Sequence, residues 1–238
     1  MCGRFTLHTG GAAIARAFEL AVEPALRPRF NVAPTQDVAA VRVEAGQRRL
    51  RMLHWGLLPA WAKDRAMAAR MINARSETVA EKPAYRSAFR RRRCLVPADG
   101  FYEWRKLEGT GSRPRKEPWL FTLRTGGPFA IAGLWEQWRD PAGAPDAPLL
   151  ESCTLLTTEA NSRVAPVHLR MPVILPQEHW APWLDPALDE PQRLLEMLLP
   201  FAAGEMDAWP VSRLVNNARH DAADCLDPVP PERGAAGA

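Results

Sequence analysis

Apolar and polar positions alternate over short stretches for most of this chain, and helical periodicity is rare. Val38–Val43 and Arg48–Trp55 alternate around Glu44-Ala45-Gly46-Gln47, which predicts a β-hairpin. Cys94–Pro97, Phe101–Trp104, Trp119–Arg124, Phe129–Trp135, Cys153–Thr157 and Met171–Leu175 read as further short strands. Only two segments carry helix spacing. Gly11 to Val22 places Ile14, Phe18 and Leu20 in an alanine-rich run, and Glu190–Leu199 puts Leu194, Leu195 and Leu198 on one side. Many strands and few helices predict an α+β fold: a single domain with a curved, mostly antiparallel, barrel-like β-sheet core flanked by short helices. No repeat or linker divides the chain, so residues 1–229 are expected to form that domain, with 230–238 as a disordered tail.

Composition agrees with this reading. The 238 residues, 47% hydrophobic and 24% charged, suit one globular core, and 23 prolines favour loops and short strands over long helices. A net charge of +4 does not describe a basic tail, but the arginines cluster. Arg90 to Arg93 form a run that reads either as a solvated turn or as a local basic surface. Four cysteines, at 2, 94, 153 and 225, lack CxxC spacing, which argues against a zinc site; no metal and no cofactor are expected. Cys94 and Cys153 sit in apolar strands and read as buried thiols. Neither a signal peptide nor an apolar stretch of membrane-spanning length is visible. The expectation is a cytoplasmic, reducing location without membrane attachment.

The chemistry begins at Cys2. Once Met1 is removed, this residue carries an amine with a reference pKa of roughly 7.7–8.0 beside a thiol of about 8.5. An aldehyde meeting that pair forms an imine, which the thiol closes to a five-membered thiazolidine. Three other segments hold polar groups in apolar surroundings. In Met71 to Thr78, Asn73 and Arg75 point the same way if the chain is extended there. In Pro97 to Trp104, Asp99-Gly100 makes a turn and Glu103 lies between aromatics. Glu103 is either an exposed strand residue or a desolvated acid with a raised pKa. In Ala165 to Pro172, His168 beside Arg170 is either structural or a proton carrier.

Together these segments closely resemble the SRAP family, the SOS response-associated peptidases or abasic-site processing proteins. The resemblance is carried by Met1-Cys2-Gly3-Arg4-Phe5, Phe30-Asn31-Val32-Ala33-Pro34-Thr35, Trp55 to Ala62, Asn73-Ala74-Arg75-Ser76-Glu77-Thr78 and Arg93 to Trp104. Ala132 to Trp135, Thr157 to Asn161, His168 to Leu175 and Pro210 to Arg213 continue it in order. The resemblance implies binding of single-stranded DNA and a covalent thiazolidine crosslink between Cys2 and the ring-opened abasic-site aldehyde, shielding the lesion during the DNA damage response. It also implies AP-lyase and autoproteolytic peptidase activities. Asn73 is then the group that orients Cys2 and the sugar, Glu103 assists ring opening, and His168 transfers protons. Arg4, Arg75 and Arg170 resemble phosphate contacts, while Pro34 and Trp61 resemble an apolar wedge; Trp61 reads equally as a core residue. The partner implied is single-stranded DNA containing abasic sites, engaged by a monomer at the nucleoid.

One position departs from the family pattern. Leu169 stands where an acidic residue usually follows the histidine. Two other function classes fit parts of the chain. Glutamine amidotransferases also use an N-terminal cysteine, but normally carry a second domain. A non-covalent reader of modified single-stranded DNA would need the groove without the nucleophile.

Overall fold

The computed structural model describes residues 2–107, 115–144 and 146–232. Thirteen strands are present among them. They are β1 (Phe5–Leu7), β2 (Arg29–Val32), β3 (Asp37–Glu44), β4 (Gln47–Trp55), β5 (Asn73–Arg75), β6 (Arg93–Ala98) and β7 (Gly100–Lys106), followed by β8 (Lys116–Leu123), β9 (Phe129–Trp138), β10 (Leu150–Glu159), β11 (Arg170–Pro172), β12 (Ile174–Leu175) and β13 (Met206–Pro210). Four short α-helices accompany them: α1 (Gly11–Phe18), α2 (Arg86–Arg91), α3 (Trp180–Leu184) and α4 (Pro191–Leu195).

Two sheets form the body. In the larger one, β10 pairs with β4, β4 with β3, β3 with β6, β6 with β9, and β9 with β10 again. That circuit is a closed five-stranded barrel. Closure leaves the five ring strands no open edge, which suits strands this apolar. The β3–β4 hairpin turns at Ala45-Gly46, where both residues have positive φ (49° and 77°), the geometry that matches the natural twist of a hairpin. The second sheet runs β13-β8-β7-β1-β2 and is antiparallel throughout. The α+β, barrel-like, mostly antiparallel expectation therefore holds; β10 is the exception, running parallel to β4 and β5.

The chain passes directly from barrel to second sheet at Asp99. Its carboxylate accepts the His8 and Thr9 N–H groups at 2.6 and 2.8 Å and the Thr9 hydroxyl at 2.6 Å. Gly100 follows because a Cβ there would lie 2.9 Å from the Phe121 carbonyl oxygen. Phe5 packs against Trp55 with ring centroids 5.3 Å apart, locking β1 of the second sheet onto the barrel core. Cys94 and Cys153 are fully buried, as their apolar strands predicted.

Two expectations need correction. The helix expected over 190–199 ends at Leu195, where Met197 and Leu198 make tighter bonds back to the Leu194 and Leu195 carbonyls. Pro200 disfavours helical geometry at Leu199, which is left 66% exposed. The Arg90–Arg93 run is neither a simple turn nor a uniform basic surface. Arg90 and Arg91 end α2, Arg92 pairs with Glu136 at 2.7 Å, and Arg93 is 4% exposed. The Arg93 guanidinium donates to the carbonyls of Phe89, Arg90, Trp183, Asp185 and Leu188, tying together the C-terminal ends of α2 and α3. Around the expected boundary at 229 the chain is hydrogen-bonded as far as residue 232. Val229 donates to the Pro210 carbonyl, and the Glu232 N–H donates to Glu117 while its carboxylate pairs with Arg115 and Arg213. Residues 233–238 of the expected tail lie outside the described residues.

Arg93 gives a direct stability test. Arg93→Met removes the shared donor from five carbonyls, those of Phe89 and Trp183 in fully buried bonds, and should cost about 3–5 kcal/mol in denaturant unfolding, the usual loss when one partner of a buried polar network is removed. Arg91→Ala, at an exposed ion pair, should change stability by no more than about 0.5 kcal/mol.

Candidate active site

The four polar centres singled out from the sequence meet at the seam between the two sheets. The C-terminal half of β10 emerges from the barrel with β5 on one edge and β11 on the other, through pairs such as Thr157–Arg75 and Thr157–Pro172. These strands place Asn73 and His168 on the barrel side. From the second sheet, β7 brings Glu103. Residues 2–4 extend the β1–β7 register, with the Tyr102 N–H donating to the Arg4 carbonyl, and so carry Cys2 alongside Glu103.

Cys2 is completely buried. Asn73 Nδ2 donates to the Cys2 carbonyl at 2.7 Å. Asn73 Oδ1 is also buried and has no hydrogen-bond partner among the described residues, which leaves an acceptor at the site. The Tyr85 hydroxyl donates to the Asn73 carbonyl at 3.3 Å and steadies β5. Burial pushes the Cys2 thiol up to about 12, with the Glu103 charge adding to the shift. Glu103 is 3% exposed, not on an open strand face, and burial raises its carboxyl above the usual range. His168 Nδ1 lies 3.7 Å from Glu103 Oε1. Without a proton, this nitrogen accepts the Arg170 N–H at 3.0 Å; with one, it faces the Arg170 carbonyl at 3.1 Å and the Glu103 carboxylate. Nδ1 is thus partnered in either tautomer of the ring.

The residues expected around the strand divide. Arg75 is exposed, and its guanidinium has no ion-pair partner among the described residues. Trp61 is 58% exposed, so the core alternative for it is excluded, and Pro34 is half-buried beside Thr35, whose φ of 67° is unusual for a β-branched residue. Arg4 does not present a free cation. Its Nη1 donates to Asn31 Oδ1 and the Val215 carbonyl, each at 2.6 Å, and its guanidinium lies 5.9 Å from the Trp104 ring centre. Arg170 is also engaged: it makes a two-pronged pair with Glu77 and donates to the Thr157 carbonyl at 2.7 Å. Leu169 is 79% exposed, and Arg170 takes its acidic partner from Glu77. Asn31 and Glu77 both stand in the motifs, yet sequence alone assigns them no role, because their partners lie 27 and 93 positions away. Among the described residues no helix is long and apolar enough to cross a membrane.

The SOS response associated peptidase (SRAP) family matches residues 1–218. The abasic site processing protein YoaM of Bacillus subtilis is 41% identical over 230 residues, spanning 95% of this chain and 98% of that one. The mouse abasic site processing protein HMCES is 28% identical over 271 residues, spanning 96% of this chain and 76% of that one. A crystal structure of a Bacteroides thetaiotaomicron protein superposes with a TM-score of 0.80 at 24% identity, covering 96% of this chain and 100% of the other, which establishes likeness of fold. With the motifs in order, the site assembled and the family match spanning nearly the whole length, this chain belongs to the SRAP family of abasic-site processing proteins.

Proposed function

We propose that this protein, acting as a monomer, binds single-stranded DNA at abasic sites and joins covalently to the opened sugar through Cys2. The observation that carries the reading is the convergence of Cys2, Asn73, Glu103 and His168, from four separated segments, with Asn73 holding the Cys2 carbonyl at 2.7 Å.

The chemistry follows from the environment. Removal of Met1 leaves an amine on Cys2. That amine attacks C1′ of the ring-opened aldehyde, and loss of one water from the carbinolamine gives an imine. The buried thiol adds next: its sulfur bonds to the imine carbon and its proton goes to the imine nitrogen, closing the thiazolidine. A thiol pushed up to about 12 is almost entirely protonated at neutral pH, which makes the amine the first nucleophile. A Glu103 carboxyl raised by burial can hold a proton for the sugar ring oxygen or the departing hydroxyl. His168, more accessible than Glu103, relays protons to solvent. At the imine stage the same groups can remove a C2′ proton, which leads to β-elimination and strand cleavage. Asn73 Oδ1 offers an acceptor for the Cys2 amine or a sugar hydroxyl.

Incubation with an abasic oligonucleotide should give a heat-stable adduct on a denaturing gel. Cys2→Ala should abolish it, and Cys2→Ser should leave only a weaker, hydrolysable product. Glutamine hydrolysis lost on Cys2→Ser, without any DNA adduct, would support the amidotransferase class instead. DNA binding that survives Cys2→Ala, with no adduct from the native protein, would support a non-covalent reader.

Glu103→Gln and His168→Ala should each slow adduct formation by about 10²–10⁴-fold, the range for a lost general acid or base. Binding to undamaged single strands should change little by comparison.

Thiol reactivity supplies a pH test. Alkylation of Cys2 by a small reagent should keep rising with pH between 8 and 11 instead of levelling near the ordinary thiol value, because burial disfavours the thiolate. Glu103→Gln removes a nearby negative charge, so its profile should shift toward lower pH.

The commitments of Arg4 and Arg170 lower the expected salt dependence of binding. Arg75→Ala should flatten the log–log slope by about 0.7, one single-strand phosphate contact. Glu77→Gln should steepen it and tighten binding, because it releases Arg170 from its internal carboxylate.

A further inference from the structure

A cavity of about 440 Å³ opens on the same face of the second sheet as Glu103, and none of its side chains has a role in the chemistry above. Trp119 is the cross-strand partner of Glu103 in the β7–β8 pair. Arg105 lies two residues beyond Glu103 and therefore on the same face. Its guanidinium sits 5.2 Å from the Trp119 ring centre, and its Nη2 is 2.6 Å from the buried Glu117 carboxylate. Arg105 Nε is buried and has no hydrogen-bond partner among the described residues. The opposite wall comprises Ser162, Arg163 and Pro166, from the loop that leads into His168. Arg163 is exposed and has no ion-pair partner among the described residues.

These features describe a nucleotide subsite. The Arg105–Trp119 stack is a flat cationic platform, the kind of surface on which an unstacked base lies. Arg105 is already neutralised by Glu117, so the charge available to a phosphate comes from Arg163. Two strand residues span about 7 Å, twice the 3.4 Å stacked rise of a DNA strand, which is the reach of one nucleotide in an unstacked strand. The volume falls within the ~300–1,000 Å³ of ordinary ligand sites.

We infer that the Arg105–Trp119–Arg163 cavity holds one nucleotide immediately flanking the lesion, with the base on the Arg105–Trp119 platform and the phosphate at Arg163. This rests on the proposed abasic-site function. The subsite takes any base, since stacking on such a platform is indifferent to sequence. It also makes the two flanks of the lesion unequal: one neighbour is gripped beside Glu103 and the other is not.

The test uses short oligonucleotides with a neighbour on both sides of the lesion, on the 5′ side only, or on the 3′ side only. Each is made with a true abasic site for crosslinking and with a tetrahydrofuran analogue, which cannot crosslink, for fluorescence anisotropy. With the native protein, loss of the neighbour on one side should weaken analogue binding and low-concentration crosslinking about tenfold, within the range for one stacked base. Loss of the other neighbour should have less effect. Arg163→Ala should reduce the larger ratio to about twofold or less without changing the smaller one, and Arg163→Lys should restore most of it. Arg105→Ala is avoided because it strands the buried Glu117 carboxylate. Equal dependence on both flanks in the native protein, or an Arg163→Ala loss shared equally by all substrates, would overturn the subsite. Absence of any crosslink together with flank-selective analogue binding would refute the covalent function and leave the subsite standing.

Discussion

The side-chain amide of Asn31 joins three parts of the chain that the site needs together. Asn31 is fully buried. Its Oδ1 accepts from Arg4 at 2.6 Å, and its Nδ2 faces the carbonyls of Val215, Asn217 and His220 at 3.2, 3.0 and 2.6 Å. Arg4 reaches the Val215 carbonyl as well, closing the triangle. The consequence is mechanical. The C-terminal segment presses on Arg4, Arg4 fixes the approach of residues 2–4 along β7, and Cys2 is delivered beside Glu103. A buried amide left without partners costs about 1–3 kcal/mol, so this arrangement is held firmly. Arg4 thereby serves as an anchor for residues 2–4.

Around that anchor, burial disfavours negative charge at the site. Burial raises both the Cys2 thiol and the Glu103 carboxyl, and the Glu103 charge adds to the rise of the thiol. Charge is concentrated instead at the rim, in Arg75, Arg163 and the Arg170–Glu77 pair. A desolvated centre ringed by arginines suits the proposed reaction, in which an amine must condense with an aldehyde. Imine formation needs proton donors and acceptors more than it needs fixed charge, and the Glu103–His168 contact at 3.7 Å supplies both.

Much of this was legible in the sequence, for identifiable reasons. The β3–β4 hairpin announces itself through alternation around Ala45-Gly46, and most of the central strands are marked by short apolar runs between turn residues. Period-two spacing already put Asn73 and Arg75 on one face. What was not legible was anything decided by a distant partner. Arg93 reads like its three neighbours, yet only it meets the carbonyl ends of α2 and α3. The pairings of Arg4 and Arg170 were not readable because Asn31, Val215 and Glu77 are remote in sequence. The helix expected near Leu194 is cut short because Pro200 acts backward on Leu199, an effect that periodicity does not register.

The central claim is that both nucleophiles of Cys2 end on one carbon of the sugar. The most direct measurement is mass spectrometry of the N-terminal peptide after reaction with an abasic single strand, nuclease digestion and thiol alkylation. The account predicts a Cys2-Gly3-Arg4 peptide without Met1, heavier by the sugar remnant less one water, with its thiol closed to the alkylating reagent and its amine closed to acylation. An adduct on any other residue, or a sugar-bearing Cys2 whose thiol still alkylates, would contradict it.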